Sequence, residues 1–444
     1  MKITHLLIGA AALVAVTAAQ AQTTVEITGA TAFRVATLDS IFARFVASGA
    51  AFRFAHDRNT ANSTPFNAAT LAIFEGTFPG VTGTTIIRCR FNGSIEGLNA
   101  LVNSPSADPL FLNPNVLTAI TSAIGGNNSG LGLGSTTTPT QAAQAEIAFS
   151  DVSIQASPFS ANPLQPASPQ AGVVVFTMIA NEGAPASLTN ITSQNFRALL
   201  GTGVQPLSLF TGNLTETTPV YATGRNDGSG TRTAYLAESG YGISNVVNQY
   251  VAGVFSGNTI TQIHRVPAAG LSASIPGSSA SNASTLWGNS ADGNGGYSSG
   301  SALRDDMGRT TATTTVLDAD ASELQSGTPI HLVTWLSIGD AGPARTAGAK
   351  ILGYNGSILS DFAATGTVTA ADDAKVQNGS YTAWSFQQMY LRNNLTGPAG
   401  DTNATNRTIT IYNGIKNNLV LGALGIATGT MNVGRAVDGG LVIP

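Results

Sequence analysis

The sequence predicts an α/β fold, because it repeatedly places a β-strand, a glycine-containing turn and a helix in immediate succession. In the first unit, the alternation at 25–27 indicates a strand, and apolar residues recur at helical spacing over 38–45 until Gly49. A second unit follows the same order. Its strand is predicted at 84–90, its turn at 92–97 and its helix around 98–102.

The remaining elements follow from the same two periodicities. The run at 173–179 is nearly continuous in apolar, β-branched residues, which is typical of a central strand. A helix at 192–200 is predicted to be capped by Thr192 or Ser193. Further strands are predicted at 147–149 and 330–338, further helices at 117–124 and 301–307, and surface excursions rich in Pro, Gly, Asn and Ser at 104–145 and 268–300.

The first 21 residues are predicted to be a signal peptide. Lys2 provides a positive start, 6–16 is apolar, and Ala19-Gln20-Ala21 fits a small-residue cleavage site before Gln22. The apolar run is too short to span a bilayer, and no later run reaches 18 apolar residues. Because no cysteine lies near the cleavage site, the protein is not expected to be a lipoprotein. The sequence therefore predicts a periplasmic protein with no membrane span in the mature chain.

The charge and the reactive residues exclude several functions. The formal net charge is −4 at pH 7, and no basic run is present, so nucleic-acid binding is not expected. Cys89 is the only cysteine; it follows Ile86 and Ile87, and is predicted to be a buried small hydrophobe. The four histidines are scattered and form no metal-binding motif, so neither a metal nor a cofactor is predicted.

The most informative motif is the heptad Arg-Asn-Asp-Gly-Ser-Gly-Thr at 225–231, which precedes the helix-like run 234–237. Its glycines allow backbone N–H groups to point inward, and the helix N-terminus adds partial positive charge. Arg225 can donate two charge-assisted hydrogen bonds to one anion. The heptad therefore predicts a site for a tetrahedral oxyanion, with phosphate as the expected ligand.

Three other turns carry polar side chains: Thr31, Ser94 and Asp151. In open α/β sheets, ligands bind beyond the carboxyl ends of the strands, where such turns meet. With these motifs, the sequence resembles the periplasmic phosphate-binding proteins, the substrate-binding components of high-affinity phosphate ABC transporters. The motifs occur in the family's order at 28–33, 93–97, 149–151 and 225–231, with weaker matches at 293–296, 333–341 and 378–381.

The resemblance implies a two-lobe periplasmic binding protein fold of type II, with the ligand cleft between the lobes and two hinge crossings. Lobe I would comprise 22–172 plus 381–444, and lobe II 173–380. Such a protein captures inorganic phosphate and delivers it to the membrane permease of an ABC transporter. It would be a monomer and not an enzyme.

The resemblance also assigns roles to individual residues. Asp151 would accept a hydrogen bond from the proton of HPO₄²⁻, a proton that sulfate lacks at neutral pH, so a sulfate oxygen would face the carboxylate with nothing between them. Asp227 would orient Arg225. The other ligand contacts would come from Thr31, the Ala32 N–H, Ser94, Arg225, Ser229, Gly230 and Thr231.

Simpler structural roles and two other functions compete with these assignments. Taken singly, Thr31 and Ser94 could each cap a helix, Asp151 could end a strand, and Arg225 with Asp227 could form a surface ion pair. Two other functions are alternatives. One is a phosphatase built on the same anion-binding turns, and the other is an exported surface or interaction protein that retains the phosphate-binding fold. The chain departs from the family at Ala32, Arg34, Ile95 and Glu96; Glu96 is expected to point away from the anion.

Overall fold

A computed structural model describes residues 22–58, 66–120, 131–134, 139–266, 295–320, 322–395, 403–422 and 425–444. It confirms the α/β class, with one large mixed sheet, a smaller sheet and helices between the strands. The predicted signal peptide, most of the excursion at 268–300 and part of the motif at 293–296 lie outside the described residues. Among the described helices, none has the length and apolarity that a membrane crossing requires.

The strands of the described residues are short, apart from one central strand of 11 residues. In chain order they are β1 (Thr23–Gly29), β2 (Arg53–His56), β3 (Leu71–Gly76), β4 (Thr85–Arg90), β5 (Leu110–Leu112), β6 (Leu131–Gly132), β7 (Thr140–Ala142), β8 (Ile147–Ser150), β9 (Gln170–Ala180), β10 (Asn190–Ile191), β11 (Val204–Pro206), β12 (Pro219–Ala222), β13 (Tyr250–Ser256), β14 (Thr259–Arg265), β15 (Thr314–Leu317), β16 (Glu323–Thr328), β17 (His331–Ser337), β18 (Lys350–Tyr354), β19 (Trp384–Leu391) and β20 (Gly425–Ile426).

The α-helices connect these strands. In chain order they are α1 (Arg34–Ala47), α2 (Ser94–Val102), α3 (Ser193–Thr202), α4 (Ser208–Thr211), α5 (Gly230–Glu238), α6 (Gly300–Met307), α7 (Ile338–Thr346), α8 (Ser360–Thr365), α9 (Ala370–Gln377) and α10 (Ala404–Lys416). Thr192 caps α3, because its hydroxyl accepts a hydrogen bond from the Asn195 N–H at 3.1 Å. It is one of the two residues that were predicted as the cap.

The described part of the helix predicted at 117–124 differs from the prediction in its type and in its first residue. The chain forms a 3₁₀-helix at Pro114–Ala119, capped by the side chain of Asn113, and leaves it at Ile120. Asn113 and Pro114 explain the earlier start, because an Asn cap followed by a first-turn proline is a strong helix-start signal. Residues 121–124 lie outside the described part of the chain.

The large sheet brings the predicted units together. Strand β1 pairs in parallel with both β4 and β8, and β12 pairs in parallel with β17. The strand order is β11-β12-β17-β9-β19-β8-β1-β4-β3-β2-β6, with β18, β20 and β10 joined beside β9; a second sheet has the order β13-β14-β15-β16.

Strand β9 links two parts of the molecule. Its early residues pair with β19, where Val175 lies opposite Trp384, and its last residues pair with β17 and β18, where Ala180 lies opposite Val333. We call residues 22–169 with 392–422 the first half and residues 181–383 the second half, with β9 and β19 between them. The predicted lobe limit at 172/173 falls within β9, and the one at 380/381 falls just before β19. The division of the chain into two lobes at these positions stays a prediction.

Two large clusters make up most of the described apolar core, one mainly within the first half and a larger one that includes residues of both halves. In the first half, aromatic rings stack between α1 and the sheet, with Phe45 5.5 Å from Phe52 and 5.9 Å from Phe74. Cys89 belongs to this cluster and is fully buried, which confirms its predicted role. The larger cluster surrounds β9, whose residues from Val173 onward are all buried, as predicted for a central strand.

Candidate anion-binding site

The first half contributes three turns at one edge of the sheet. Thr31 follows β1, Ser94 begins α2 after β4, and Asp151 directly follows β8. Because β4, β1 and β8 are adjacent and parallel, the residues after their carboxyl ends lie side by side. The sheet therefore brings together three side chains that are 57 or more residues apart in sequence.

The second half contributes the predicted heptad. Arg225 follows β12, and Gly230 and Thr231 are the first residues of α5. Ser229 caps this helix, since its Oγ accepts the Arg232 N–H at 3.3 Å. The first-turn N–H groups of a helix have no intrahelical acceptor, so this N-terminus presents donors to the site.

Side chains from the two halves meet in pairs. The Arg225 Nη1 donates to Thr31 Oγ1 at 3.2 Å, and the Thr231 hydroxyl donates to Asp151 Oδ2 at 3.4 Å. Arg225, Asp151 and Thr231 are all at most 3% exposed. A surface ion pair at Arg225 is therefore excluded, and the residues predicted from separate motifs form one buried cluster.

Glycines allow the halves to approach closely at this cluster. A Cβ at Gly230 would lie 2.2 Å from Ser94 Oγ, so the Ser94 side chain packs directly on the Gly230 backbone. Gly93 has a φ of +135°, and a Cβ there would lie 2.3 Å from the Gly228 carbonyl oxygen. That carbonyl accepts the N–H of Ile95 at 3.1 Å, which is a backbone hydrogen bond between the halves.

Neither of the two candidate cap residues caps its helix. The N-cap of α1 is Phe33 and not Thr31, while Ser94 is the first residue of α2, after Gly93. Ser94 Oγ instead accepts the Asp151 N–H at 3.0 Å. Their hydroxyls therefore serve the cluster between the halves and not the helix ends.

Asp151 is the carboxylate of the cluster, and its environment is unfavourable to charge. Burial raises the pKa of Asp151 to about 6, against the opposing effect of the Arg225 guanidinium. Its Oδ1 is buried and has no hydrogen-bond partner in the described part of the chain. A buried carboxylate oxygen without a partner is costly unless a ligand donates a hydrogen bond to it.

Arg225 is held in place by backbone carbonyl groups. Its Nε donates to the carbonyl oxygen of Tyr297 at 3.0 Å, and its Nη2 to that of Ser298 at 2.9 Å. Burial lowers the pKa of Arg225 to about 10, which leaves it cationic at neutral pH. The orienting role predicted for Asp227 stays a prediction.

Tyr297 is a site residue that no motif indicated. Its hydroxyl donates to Asp306 Oδ2 at 2.8 Å and accepts the Ala252 N–H at 3.0 Å, which fixes the backbone that holds Arg225. Since its carbonyl group does the orienting, any residue type could provide it. Its only sequence signal is its place just after the weak match at 293–296.

Comparisons with known proteins give similarities of fold. No protein-family model and no curated protein matches the chain. A structure described as a phosphate ABC transporter substrate-binding protein with bound phosphate, from Clostridium perfringens, is 12% identical, with a TM-score of 0.41 over 91% of this chain and 99% of that one. An ABC-type phosphate transport receptor from Vibrio cholerae is 9% identical, with a TM-score of 0.38 over 89% of this chain and 94% of that one. Such distant similarity does not identify a ligand, which has to be inferred from the residues of the site.

The remaining predicted residues lie beside the cluster. Ala32 is half-buried in the turn after β1, and its predicted N–H contact stays a prediction. Glu96 packs against Gly228 and, with Asp227, borders an adjoining cavity of about 620 Å³. Burial and the Asp227 carboxylate raise the pKa of Glu96. Glu96 is expected to point away from the anion, and a side chain with that direction would lie at this adjoining cavity.

Proposed function

We propose that this protein binds inorganic phosphate between its two halves and releases it to a membrane permease. The observation that carries the proposal is the pairing of predicted residues across the halves: Thr31 with Arg225, and Asp151 with Thr231. Residues from independent motifs converge at one buried place, where they combine hydrogen-bond donors for anion oxygens with one hydrogen-bond acceptor for a protonated oxygen.

The chemistry of the cluster favours a protonated tetrahedral anion. Arg225, the hydroxyls of Thr31 and Thr231, and the N-terminus of α5 supply donors to anion oxygens. Asp151 Oδ1, buried and without a partner in the described residues, would accept a hydrogen bond from the protonated oxygen of HPO₄²⁻. Sulfate has no such proton at neutral pH, so its oxygens would meet the carboxylate directly.

Delivery to a permease is the transport role that the descriptions of the similar structures imply. Uptake from a dilute environment needs a dissociation constant of micromolar or lower, which corresponds to about −8 kcal/mol or better. Several charge-assisted hydrogen bonds in a water-excluding cleft can supply this free energy. The proposed role is binding without bond breaking.

Calorimetric titration of the mature protein with phosphate and with sulfate tests the proposal. We expect micromolar or tighter phosphate binding, weaker sulfate binding, and a loss of at least about 100-fold in phosphate affinity in Arg225→Ala. Arg53→Ala is the matched control, since Arg53 forms a half-exposed ion pair with Glu75. Absence of phosphate binding by the unmodified, folded protein would refute the proposal.

A further inference from the structure

Residues 427–444, which we call the last segment, belong to neither half. The segment follows β20, which pairs with β9 between the halves. It folds back on itself, because the Gly434 N–H donates to the Ile443 carbonyl oxygen at 2.7 Å and the Ile443 N–H donates to that of Gly434 at 3.0 Å. These two hydrogen bonds close a loop over 435–442 that contacts both halves.

This loop holds the turn that carries the carboxylate of the candidate site. Asp438 Oδ2 accepts the Ser153 N–H at 2.8 Å and the Ser153 hydroxyl at 2.6 Å. Ser153 belongs to the first half and stands two residues after Asp151. The loop is therefore anchored to the first half within the turn that begins at Asp151.

The same loop holds the helix whose N-terminus faces the site. Gly439 has a φ of +70°, and a Cβ there would lie 2.3 Å from the Ala237 carbonyl oxygen, so its backbone packs directly on the last turn of α5. Arg435 forms an ion pair with Glu238, the last residue of α5, and the two side chains are 4% and 10% exposed. The Arg435 guanidinium also lies 4.5 Å from the centre of the Trp384 ring, at the start of β19. The loop is therefore anchored to the second half as well.

Two neighbouring residues of the loop thus contact opposite halves. Consecutive Cα atoms are about 3.8 Å apart, so the contacts of Asp438 and Gly439 cannot move far from each other. When the halves separate, Ser153 moves with the first half and Ala237 with the second. One of the two contacts must then break.

We propose that the last segment is a strap that restrains the opening of the halves, and that it sets how fast phosphate enters and leaves the site. The restraint acts on the closed protein with or without ligand, so it changes the opening equilibrium and the exchange rates more than the affinity. The kinetic part rests on the proposed phosphate function and deepens it, while the restraint itself can be measured without phosphate.

Amide hydrogen exchange of the ligand-free, mature protein tests the restraint. The Ile95 and Glu96 N–H groups donate to the Gly228 carbonyl oxygen of the other half at 3.1 and 3.4 Å, so their exchange reports opening. We expect Asp438→Ala to speed this exchange about 5- to 50-fold, because two hydrogen bonds no longer resist opening. In the Asp438→Ala background, Glu238→Gln should speed it no further, because the strap is already released.

Asp320→Ala is the matched control. Asp320 Oδ1 accepts the Ser322 N–H at 2.9 Å and the Ser322 hydroxyl at 2.6 Å, which is the same pair of hydrogen bonds within one turn of the second half. This variant should leave the exchange of the two reporter amides unchanged. Ser153→Ala removes only one of the two hydrogen bonds to Asp438 and is the milder variant if Asp438→Ala does not fold. We expect it to speed exchange about 2- to 5-fold.

Phosphorus NMR exchange spectroscopy tests the kinetic part. At partial saturation it measures the rate at which phosphate exchanges between the solution and the protein. We expect Asp438→Ala to speed binding and release about 5- to 50-fold, in step with amide exchange, and to change the calorimetric dissociation constant less than about 3-fold. Asp320→Ala should change neither the rates nor the dissociation constant.

Unchanged amide exchange in folded Asp438→Ala would overturn the strap. So would a full additional effect of Glu238→Gln in the Asp438→Ala background, because independent contacts add. A lower phosphate affinity with unchanged amide exchange would also overturn it, since Asp438 would then act on the Asp151 turn alone. If the unmodified protein does not bind phosphate, the proposed function fails, whereas amide exchange of the ligand-free variants still decides the strap.

Discussion

At Asp151, ligand selection and stability make opposite demands. Its pKa of about 6 lies above the ordinary value of 3.8, because burial disfavours the charged form. At pH 7.5 the carboxylate is ionised and can accept a hydrogen bond from the P–O–H group of HPO₄²⁻. Below pH 6 it is protonated and can instead donate a hydrogen bond to an anion without a proton, such as sulfate.

Asp151→Asn should therefore reduce the discrimination between phosphate and sulfate. In the unmodified protein, we expect sulfate affinity to rise as the pH falls through about 6. In the variant, the amide can donate at every pH, so sulfate should bind about 10- to 100-fold more tightly at pH 7.5, with little pH dependence. Titrations at pH 7.5 and pH 5 measure both effects. An unchanged affinity ratio at pH 7.5 would remove Asp151 from its assigned role.

The thermal stability of Asp151→Asn tests whether burial of the charged carboxylate is the cause of the raised pKa. For a carboxyl group whose folded-state pKa is raised, the stability present at low pH is lost as the pH rises through the folded value. Ionised Asp151 thus destabilises the ligand-free protein above pH 6. Asp151→Asn should raise the melting temperature at pH 7.5 and change it little at pH 4.5; a lower melting temperature at pH 7.5 would contradict this account.

At the scale of single elements, the N-terminus of α5 requires a residue without a side chain. A Cβ at Gly230 would lie 2.2 Å from Ser94 Oγ and 3.0 Å from Asp151 Cβ, both in the other half. Alanine is otherwise favoured over glycine in a helix by about 1 kcal/mol. The glycine is thus explained by the approach of the halves and not by the helix.

Gly230→Ala should weaken phosphate binding about 10- to 100-fold, because an overpacked contact costs about 1–3 kcal/mol when the halves close. The melting temperature without phosphate should not fall, since the ligand-free halves can separate slightly. Gly429→Ala is the control, because no atom lies within 4 Å of the added methyl group. Equal phosphate affinity in both variants would show that the Gly230 contact is not needed for binding.

Elements whose residues follow a strong pattern were predictable from the sequence. Strands β1, β4 and β9 and the position of the turns at the candidate site follow from apolar periodicity and glycine placement. Strand β16 was not predicted, because its residues are almost all exposed and polar, and only pairing with β15 defines it. Tyr297 was missed for a related reason, because it acts through its carbonyl group and not through its side chain.

For the whole molecule, the connection between the halves determines how binding can be observed. Two strands, β9 and β19, run between the halves, while the candidate site lies where the turns of both halves meet. The Ile95 N–H donates to Gly228 of the second half at 3.1 Å, and the Glu96 N–H does so at 3.4 Å. Both are first-turn N–H groups without an intrahelical acceptor, so this contact with the other half is what protects them from exchange.

Amide hydrogen exchange at Ile95 and Glu96 should therefore report phosphate binding. If the halves must separate before these amides exchange, phosphate at 100 times its dissociation constant should slow them by about 100-fold. The Ala30 N–H is the internal control, since it donates to Phe149 within the first half at 2.8 Å and should not respond. Arg225→Ala should abolish the slowing. Equal protection with and without phosphate, under conditions where calorimetry detects binding, would show that the halves do not separate to admit the ligand.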